Sequence, residues 1–457
     1  MRNTSKTIGM FTITMISIAG VFNVASLPSM SEYGFTLVSY YIAAAILFLI
    51  PTALICAELS TALPKAGGLY AWVQQAFGQR LGFLVIWLEA ANTIIAFPTR
   101  LSLGALLLAY AVHPPIIHHK VMLFALMLAF LWGATLFNLL GIRLSLWVSS
   151  ISVILGTIFP GCLIIILGIY WLVSGHPAQI VLNASHLMPD LHWNNAAFLA
   201  GLVLSYSGMQ IAAYHAQDVD NPKRNFPKAI LIATVFILLL SILGALSIAI
   251  VVPQKQINLA AGLIQLVSVF FTTFHLNWLV TPIAILMLLG FFASFNIWLL
   301  SPCRGLLACV RYQHLPKFLS RTTQHNVPRN LLLLQALITT LLSSLFLFMP
   351  TISSSYWLLT VLSAQLTFIM YIALCAAAIK LRYQGIGSIN TYRVPGGNIG
   401  LCLIAGIVII VCIAAFFVGF FPPTRLINIG SKLFYDAFLI VGMVVIMMPV
   451  LLIRPKK

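Results

Sequence analysis

The sequence is a succession of about twelve mostly apolar stretches of roughly 20 residues each, the length that a helix needs to cross the hydrocarbon core of a bilayer. Short polar connections separate them, and the stretches fill nearly all of the 457 residues, of which 61% are hydrophobic and 7% are charged. No polar segment is long enough to fold by itself, which excludes a soluble enzyme, a nucleic-acid-binding domain and a disordered chain. We therefore predict an all-α polytopic membrane protein. The predicted spans are 8–28, 36–59, 81–111, 121–140, 147–173, 195–215, 228–252, 278–302, 330–349, 355–379, 398–421 and 433–453.

The basic charge of the chain predicts its orientation in the membrane. There are 24 Lys and Arg residues against 7 acids, a net charge of +17. Most of the basic residues fall on one side when successive spans alternate in direction. Short cytoplasmic connections of membrane proteins carry such an excess of Lys and Arg. The distribution predicts cytoplasmic termini, and it gives no reason to expect a nucleic-acid partner.

The seven cysteines lie in or at the ends of apolar segments, and no two of them form a Cys-x-x-Cys pair. This placement is typical of small core residues and not of a disulfide framework or a metal site. No span or connection gathers the His, Asp and Glu residues that a catalytic metal or a lipid-modifying reaction requires. We therefore expect neither a cofactor nor a metal.

Two of the spans contain small and polar residues at mid-membrane depth. The first span reads Ser-Ile-Ala-Gly-Val-Phe-Asn-Val-Ala-Ser-Leu-Pro over residues 17–28, and the sixth reads Leu-Ser-Tyr-Ser-Gly-Met-Gln-Ile-Ala over residues 204–212. A repeat with an offset of five spans is inverted in the membrane. Interrupted helices at matching places in two inverted halves indicate the substrate site of a secondary transporter, because unwound backbone offers N–H and C=O groups to a ligand. Close helix packing, which also uses Gly, Ala and Ser, is the alternative.

The polar connections carry more specific strings. They are Glu-Leu-Ser-Thr-Ala-Leu-Pro-Lys-Ala-Gly-Gly-Leu-Tyr over residues 58–70, Asp-Asn-Pro-Lys-Arg-Asn-Phe-Pro over residues 220–227, Pro-Cys-Arg-Gly over residues 302–305, and Tyr-Arg-Val-Pro-Gly-Gly over residues 392–397. In this order and at these helix junctions, the strings resemble those of the amino acid-polyamine-organocation (APC) superfamily of transporters. A closer resemblance, to the bacterial glutamate:GABA antiporter group, extends over essentially the whole chain. It is carried by residues 204–208, 244–253, 257–262 and 421–423.

The resemblance implies a LeuT-like fold. In that fold the first five helices (residues 1–173) and the next five (174–381) form an inverted repeat, and two further helices follow (382–457). It also implies secondary active transport by alternating access in a bacterial inner membrane, as exchange of one amino acid for another or for a related amine. The expected partners are small-molecule substrates and the lipid bilayer.

Within the implied fold, the substrate lies at the two interrupted helices. Backbone amides near Gly20 and Val21 face its carboxylate, and carbonyl groups near Ser205 and Tyr206 accept from its ammonium group. For aromatic members of the predicted site the alternative role is core packing, and for amide members it is an interhelical hydrogen bond. The predicted substrate-binding residues are Ser17, Gly20, Val21, Asn23, Ser205, Tyr206, Gly208, Gln210, Asn296 and Trp298.

The third span contains two charged residues, Glu89 and Arg100. Eleven residues of helix place them on one face but about 16 Å apart along the axis, so they do not pair with each other. Two roles are open for Arg100, which either recognises an anionic substrate or extends to the lipid headgroups. Two roles are also open for Glu89, which either takes part in proton coupling or pairs with an arginine near the cytoplasmic side.

Three other functions remain as alternatives to exchange. One is proton-coupled import of an amino acid or polyamine. A membrane-embedded enzyme is disfavoured because the chain lacks a catalytic set of side chains. A receptor or structural subunit is disfavoured because it leaves the two matched interruptions without a purpose.

Overall fold

The computed structural model describes residues 8–31, 33–64, 67–112, 119–183, 187, 201–253, 262–311, 316–348, 352–386, 391–421 and 432–451. Its regular structure is helical, apart from a parallel bridge between Ile8 and Val219. Some sequence predictions concern residues outside these ranges. They are the start of the sixth span at 195–200, residues 65–66 of the first polar string, residues 257–261, Pro422 and Pro423.

The first half of the described chain begins with a short apolar helix, α1 (Met10–Val21), followed by a turn at Val24–Ser26 and a short helix at Leu27–Ser31. The helices after α1 are α2 (Gly34–Ala62), α3 (Leu69–Phe77), α4 (Gln79–Val112), α5 (Lys120–Leu139) and α6 (Ile142–Val173). The longer helices α2 and α6 each contain one π-helical turn, at Ala45–Leu49 and Ile154–Ile158.

The second half begins with helical residues 201–205 and, after an interruption, a 3-10 helix at Met209–Asp218. The remaining helices are α7 (Pro222–Val251), α8 (Gly262–Thr273), α9 (Val280–Arg311), α10 (Arg329–Phe348), α11 (Ile352–Tyr383), α12 (Gly397–Val418) and α13 (Lys432–Leu451). Within the described residues, nine helices are long and apolar enough to cross a membrane, and α1 is a shorter apolar helix. This architecture confirms the predicted all-α polytopic membrane protein. The expected total of about twelve spans stays a prediction.

Several helix boundaries differ from the predicted ones. α9 continues to Arg311 with Pro302 inside it, because a proline within a long packed helix removes one backbone hydrogen bond without ending the helix. α7 begins at Pro222, within the second polar string, since a proline in the first helical turn has no N–H that needs a partner. The helices α3 and α8 lie in segments that we predicted as connections. Both are too short to appear as membrane spans in the sequence.

α6 and α9 approach each other through glycine. At the π-helical turn of α6, a methyl group added to Gly156 would overlap the backbone at Gly290 of α9, and the reverse substitution would meet the backbone of Gly156. Small residues allow helix backbones to approach this closely in membrane proteins. The contact places α9 firmly against the first half of the chain.

A buried ion pair joins two of the polar strings, residues 58–70 and 392–397, to the end of α11. The guanidinium of Arg382, at the end of α11, donates from Nε to Oε1 of Glu58 at 2.6 Å and from Nη2 to the other carboxylate oxygen. The backbone N–H of Val394 donates to Oε2 of Glu58 at 2.7 Å, and Arg382 also donates to the carbonyl of Gly397 at 3.0 Å. Partial burial and the Glu58 carboxylate raise the pKa of the Tyr392 phenol beside this pair. The pair therefore ties the end of α2 to the end of α11 and the start of α12.

Removing one member of this pair should destabilise the protein by about 3–5 kcal/mol, because the other charge is left buried without compensation. We expect Glu58→Leu or Arg382→Met to lower the melting temperature of the purified protein in detergent. The double variant should be less destabilised than the worse of the two single variants, since it leaves no unpaired charge. Arg224→Met, which changes an exposed arginine, is the matched control and should leave the melting temperature unchanged. Single variants as stable as wild type would contradict this role for the pair.

Candidate functional site

The structure interrupts both helices that the sequence predicted to be interrupted. α1 ends at Val21, and Phe22 follows in an extended conformation with φ −91° and ψ 129°. In the second half, the helix at residues 201–205 ends before Gly208, whose φ of +126° lies in the region that favours glycine. The two interruptions are therefore confirmed as features of the fold.

The two interruptions touch through their glycines. A Cβ atom added to Gly20 would lie 3.1 Å from the carbonyl oxygen of Gly208, and one added to Gly208 would overlap the carbonyl of Gly20. Neither position has room for a side chain between the two backbones. The predicted pair of sequence features is thus one site in space, formed where the backbones of the two halves meet.

Side chains of α9 bind the carbonyl groups at the end of α1. The hydroxyl of Ser294 donates to the carbonyl of Ala19 at 2.7 Å, and the indole Nε1 of Trp298 donates to the carbonyl of Gly20 at 3.0 Å. The guanidinium carbon of Arg100 lies 4.5 Å from the centroid of the Trp298 ring, within the range of a cation–π contact. Arg100 and Trp298 therefore both lie next to the first interruption.

The second interruption is bonded to a buried network of neutral side chains and one acid. The N–H of Gly208 donates to the hydroxyl of Tyr371 at 2.8 Å, and that hydroxyl donates to Oε1 of Gln210 at 2.5 Å. Nε2 of Gln210 donates to Oε1 of Glu89 at 3.0 Å, and the hydroxyl of Tyr214 donates to the other carboxylate oxygen. Of the two roles left open for Glu89, pairing with an arginine is not found among the described residues, where both of its bonded partners are neutral.

The structure does not bring Asn296 to this site. Its side chain donates to the hydroxyls of Ser145 and Ser149 at 2.6 and 2.9 Å, and it accepts from Asn138 at 2.5 Å. All of these partners lie on α5 and α6, and Asn296 is fully buried among them. The amide has the interhelical hydrogen-bonding role that we gave as its alternative.

The other predicted residues lie on or beside the interruptions, with different contacts. The hydroxyls of Ser17 and Ser205 donate to carbonyls within their own helices, at 2.9 and 2.7 Å. Tyr206 is buried with its ring centroid 5.7 Å from that of Tyr41 in α2. Val21 is buried at the end of α1, and the carbonyl of Asn23 accepts from both the backbone and the hydroxyl of Ser26. Their roles in substrate binding stay predictions.

A second polar cluster holds the far end of the 3-10 helix. Arg304 donates to Oδ2 of Asp218 and to Nδ1 of His215, both at 2.5 Å, while Nε2 of His215 lies 3.1 Å from the hydroxyl of Ser301. A guanidinium only donates, so Nδ1 accepts and the imidazole is neutral. Ile8, just before α1, donates to the carbonyl of Asp218 at 3.1 Å and accepts from the N–H of Asp220 at 2.9 Å. These backbone bonds connect Asp218 and Asp220, at and just after the end of the 3-10 helix, to the residue just before α1.

Sequence reasoning missed Tyr214 and Tyr371 as members of the site. Tyr371 lies in α11, more than 160 positions from Gly208 in the sequence, and its apolar neighbours Met370 and Ile372 give no local signal. Tyr214 follows Gln210 by four positions, which predicts a shared face only if the segment is known to be helical. Only the packed fold identifies these two residues.

Chemically, the site offers several kinds of hydrogen-bonding group. Backbone amides and carbonyls, an indole, an amide and a guanidinium surround two helix ends at membrane depth. Such groups can bind a small polar molecule that carries both a positive and a negative charge.

A comparison with known proteins identifies the family. A protein-family model described as "Amino acid permease" matches residues 8–446.

The chain belongs to this family. Membership of the amino acid permease family confirms the resemblance in the polar strings and makes the protein a transporter and not an enzyme. An uncharacterized transporter of Legionella pneumophila is 37% identical over 444 residues, which are 97% of this chain and 96% of the relative. The glutamate/gamma-aminobutyrate antiporter of Lactococcus lactis is 29% identical and covers 96% of this chain and 88% of the relative. A probable agmatine/putrescine antiporter of the same species is 24% identical over 87% of this chain and 84% of the relative.

A solved structure confirms the fold of this permease. MhsT in complex with L-phenylalanine matches it with a TM-score of 0.61 at 14% sequence identity, over 89% of this chain and 98% of MhsT. At this identity the likeness concerns the fold alone. It bears out the LeuT-like architecture that the sequence resemblance implied.

Replacing either contact glycine by valine should lower transport by about tenfold or more, because a β-branched side chain blocks the approach of the two backbones and resists a positive φ. The measurement is uptake by reconstituted Gly20→Val and Gly208→Val proteins, compared at equal amounts of monodisperse protein. Gly133→Val is the matched control, since a Cβ at Gly133 of α5 meets nothing within 4 Å. Normal transport by both site variants would remove these glycines from the substrate site.

Proposed function

We propose that this permease is a secondary antiporter that exchanges one amino acid for another, or for a related amine, by alternating access. The observation that carries the proposal is the contact of the two interrupted helices at Gly20 and Gly208. Interruptions at matching places of an inverted repeat are typical of substrate sites in secondary transporters. Exchange is further supported by the relatives named as antiporters.

The chemistry of an amino acid suits the groups at the interruptions. The short helix after the first interruption begins near Val24 and directs the positive end of its dipole towards the gap, which favours a carboxylate. The helix at residues 201–205 ends at the second interruption, so its carbonyl end favours an ammonium group. Residues 206 and 207 lie outside regular helix, where carbonyl groups are not committed to a helical ladder. A single amino acid can therefore bind with its carboxylate at the first interruption and its ammonium group at the second.

The proposal includes the orientation of the chain. Because most Lys and Arg residues fall on one side of the predicted spans, we place both termini in the cytoplasm of a bacterial cell, with the protein in its inner membrane. The two repeat halves then correspond to residues 1–173 and 174–381. Rocking of one half against the other exposes the site to each side in turn.

Arg100 favours substrates with an additional anionic group. Its guanidinium is half-buried and stacks on Trp298, which itself binds the carbonyl of Gly20. A guanidinium presents a planar fork of N–H donors that matches the two oxygens of a carboxylate. A substrate carboxylate approaching the first interruption would come next to this fork.

Counterflow in proteoliposomes tests exchange. Liposomes preloaded with an unlabelled amino acid should take up the labelled substrate several-fold faster than empty liposomes, because an antiporter returns across the membrane only with substrate bound. A panel of common amino acids and their decarboxylation products identifies the exchanged pair. Equal rates in loaded and empty liposomes would contradict exchange and favour proton-coupled import, and no uptake of any amino acid or amine would contradict both.

Substitution of Arg100 tests the preference for an anionic substrate. Arg100→Leu should weaken the apparent affinity for acidic amino acids by roughly 10- to 100-fold, since hydrogen bonds to charged groups contribute about 1.5–3 kcal/mol. Arg100→Lys should restore little of it, because a compact ammonium does not reproduce the fork of a guanidinium. Neutral amino acids competing in the same assay are the internal control. A uniform change across acidic and neutral substrates, or no change, would contradict the recognition role.

A further inference from the structure

Glu89 is a buried acid at membrane depth whose carboxylate has no bonded cation among the described residues. It is 1% exposed in the middle of α4. Its bonded partners, Gln210 and Tyr214, supply an N–H and an O–H. An ionised carboxylate in this setting is unfavourable unless something neutralises it.

Two other acids that are wholly or partly buried have arginine partners. Glu58 pairs with Arg382, and Asp218 pairs with Arg304. These pairs lie at helix ends, whereas Glu89 lies beside the second helix interruption. The groups that donate to Glu89 are not metal ligands, because an amide N–H₂ and a phenol O–H present hydrogens to it. The cation whose size and chemistry fit this position is a proton.

The hydrogen bonds that connect Glu89 to the interruption all point in one direction. Gly208 donates to Tyr371, Tyr371 donates to Gln210, and Gln210 donates to Glu89. The chain of donors ends at a group that only accepts when it is ionised. A protonated Glu89 carries a hydrogen of its own, which needs an acceptor, so one incoming donor must turn away. If the Gln210 amide turns, Tyr371 loses its acceptor and the bond to the Gly208 amide changes.

The titratable groups whose charges act on Glu89 or on its bonded partner Tyr214 come from several helices. Cys56 of α2 and Tyr371 of α11 lie close enough to interact electrostatically with its carboxylate. Tyr214 of the 3-10 helix bonds to it directly, and Cys309 of α9 faces Tyr214. These are thiols and phenols, so Glu89 is the member of the set that ionises most readily.

We propose that Glu89 is the proton-binding site of this permease, and that Gln210 and Tyr371 transmit its protonation state to the backbone of Gly208. The proton comes from water on one side, binds a carboxylate oxygen of Glu89 and leaves to water on the other side, with no covalent change. Because the Gly208 interruption is also the proposed substrate site, proton binding and substrate binding become linked equilibria. This inference rests on the proposed function and adds to it the coupling of exchange to protons.

The test measures exchange and proton movement together. Proteoliposomes loaded with substrate and a pH-sensitive dye report the counterflow rate over a series of pH values and the accompanying proton flux. The wild-type rate should change with pH around a midpoint. Glu89→Gln, which keeps the shape of the side chain but cannot ionise, should still exchange substrate while losing the midpoint and the proton flux.

Two further variants separate a proton site from a structural role. Tyr214→Phe removes a donor that stabilises the ionised carboxylate, so the midpoint should move to higher pH by about one unit. Asn92→Ala is the matched control on the same helix. Its side chain accepts from Ser363 of α11 without taking part in the Glu89 network, so this variant should leave the midpoint in place.

The outcomes are distinct from those of the exchange test. A Glu89→Gln protein with the wild-type pH profile and proton flux would overturn the proton site while leaving exchange intact. A wild-type rate that does not change with pH would overturn it as well. If Glu89→Gln does not fold, the Tyr214→Phe midpoint decides, and an unshifted midpoint counts against the proposal. A failure of wild-type counterflow itself would count against the proposed exchange.

Discussion

Backbone polar groups inside a bilayer need partners, and the two interrupted helices of this permease free several of them at membrane depth. The structure meets this constraint with side chains from distant helices. Ser294 and Trp298 of α9 bind the carbonyls at the end of α1, and Tyr371 of α11 binds the amide of Gly208. The interruptions therefore fix which helices surround the site. The same bonds explain why α9 and α11 approach α1 and the 3-10 helix.

The charged side chains of the protein interior divide into two kinds. Glu58 and Asp218 are held by arginines at helix ends, where they join segments that are far apart in the sequence. Glu89 instead lies within a long helix among neutral donors. Paired charges stabilise the fold, since removing either partner leaves an unfavourable buried charge. An acid without an ionic partner can change its charge at a lower cost, and this difference separates Glu89 from Glu58 and Asp218.

The sequence predicts the fold well because apolar length and basic charge are local or statistical signals. It also predicts both interruptions, since Gly20 and Gly208 stand among polar residues inside apolar stretches. The side chains that surround those glycines are not predicted by the same signals. Tyr371 and Tyr214 reach the site only because α11 and the 3-10 helix pack there, and no local pattern carries that information. For the same reason Asn296 was misplaced: a polar residue in a span indicates a buried bond, but only the fold shows that its partners are Asn138 and two serines of α6.

The backbone bonds of Ile8 have a mechanical consequence. α1 and the 3-10 helix Met209–Asp218 touch at Gly20 and Gly208, and the residue before α1 is tied to Asp218 and Asp220 at the other end of the 3-10 helix. Two helices joined at both ends resist pivoting independently, because such a pivot would break the contact at one end or the hydrogen bonds at the other. A tilt of α1 that keeps these bonds therefore moves the 3-10 helix with it.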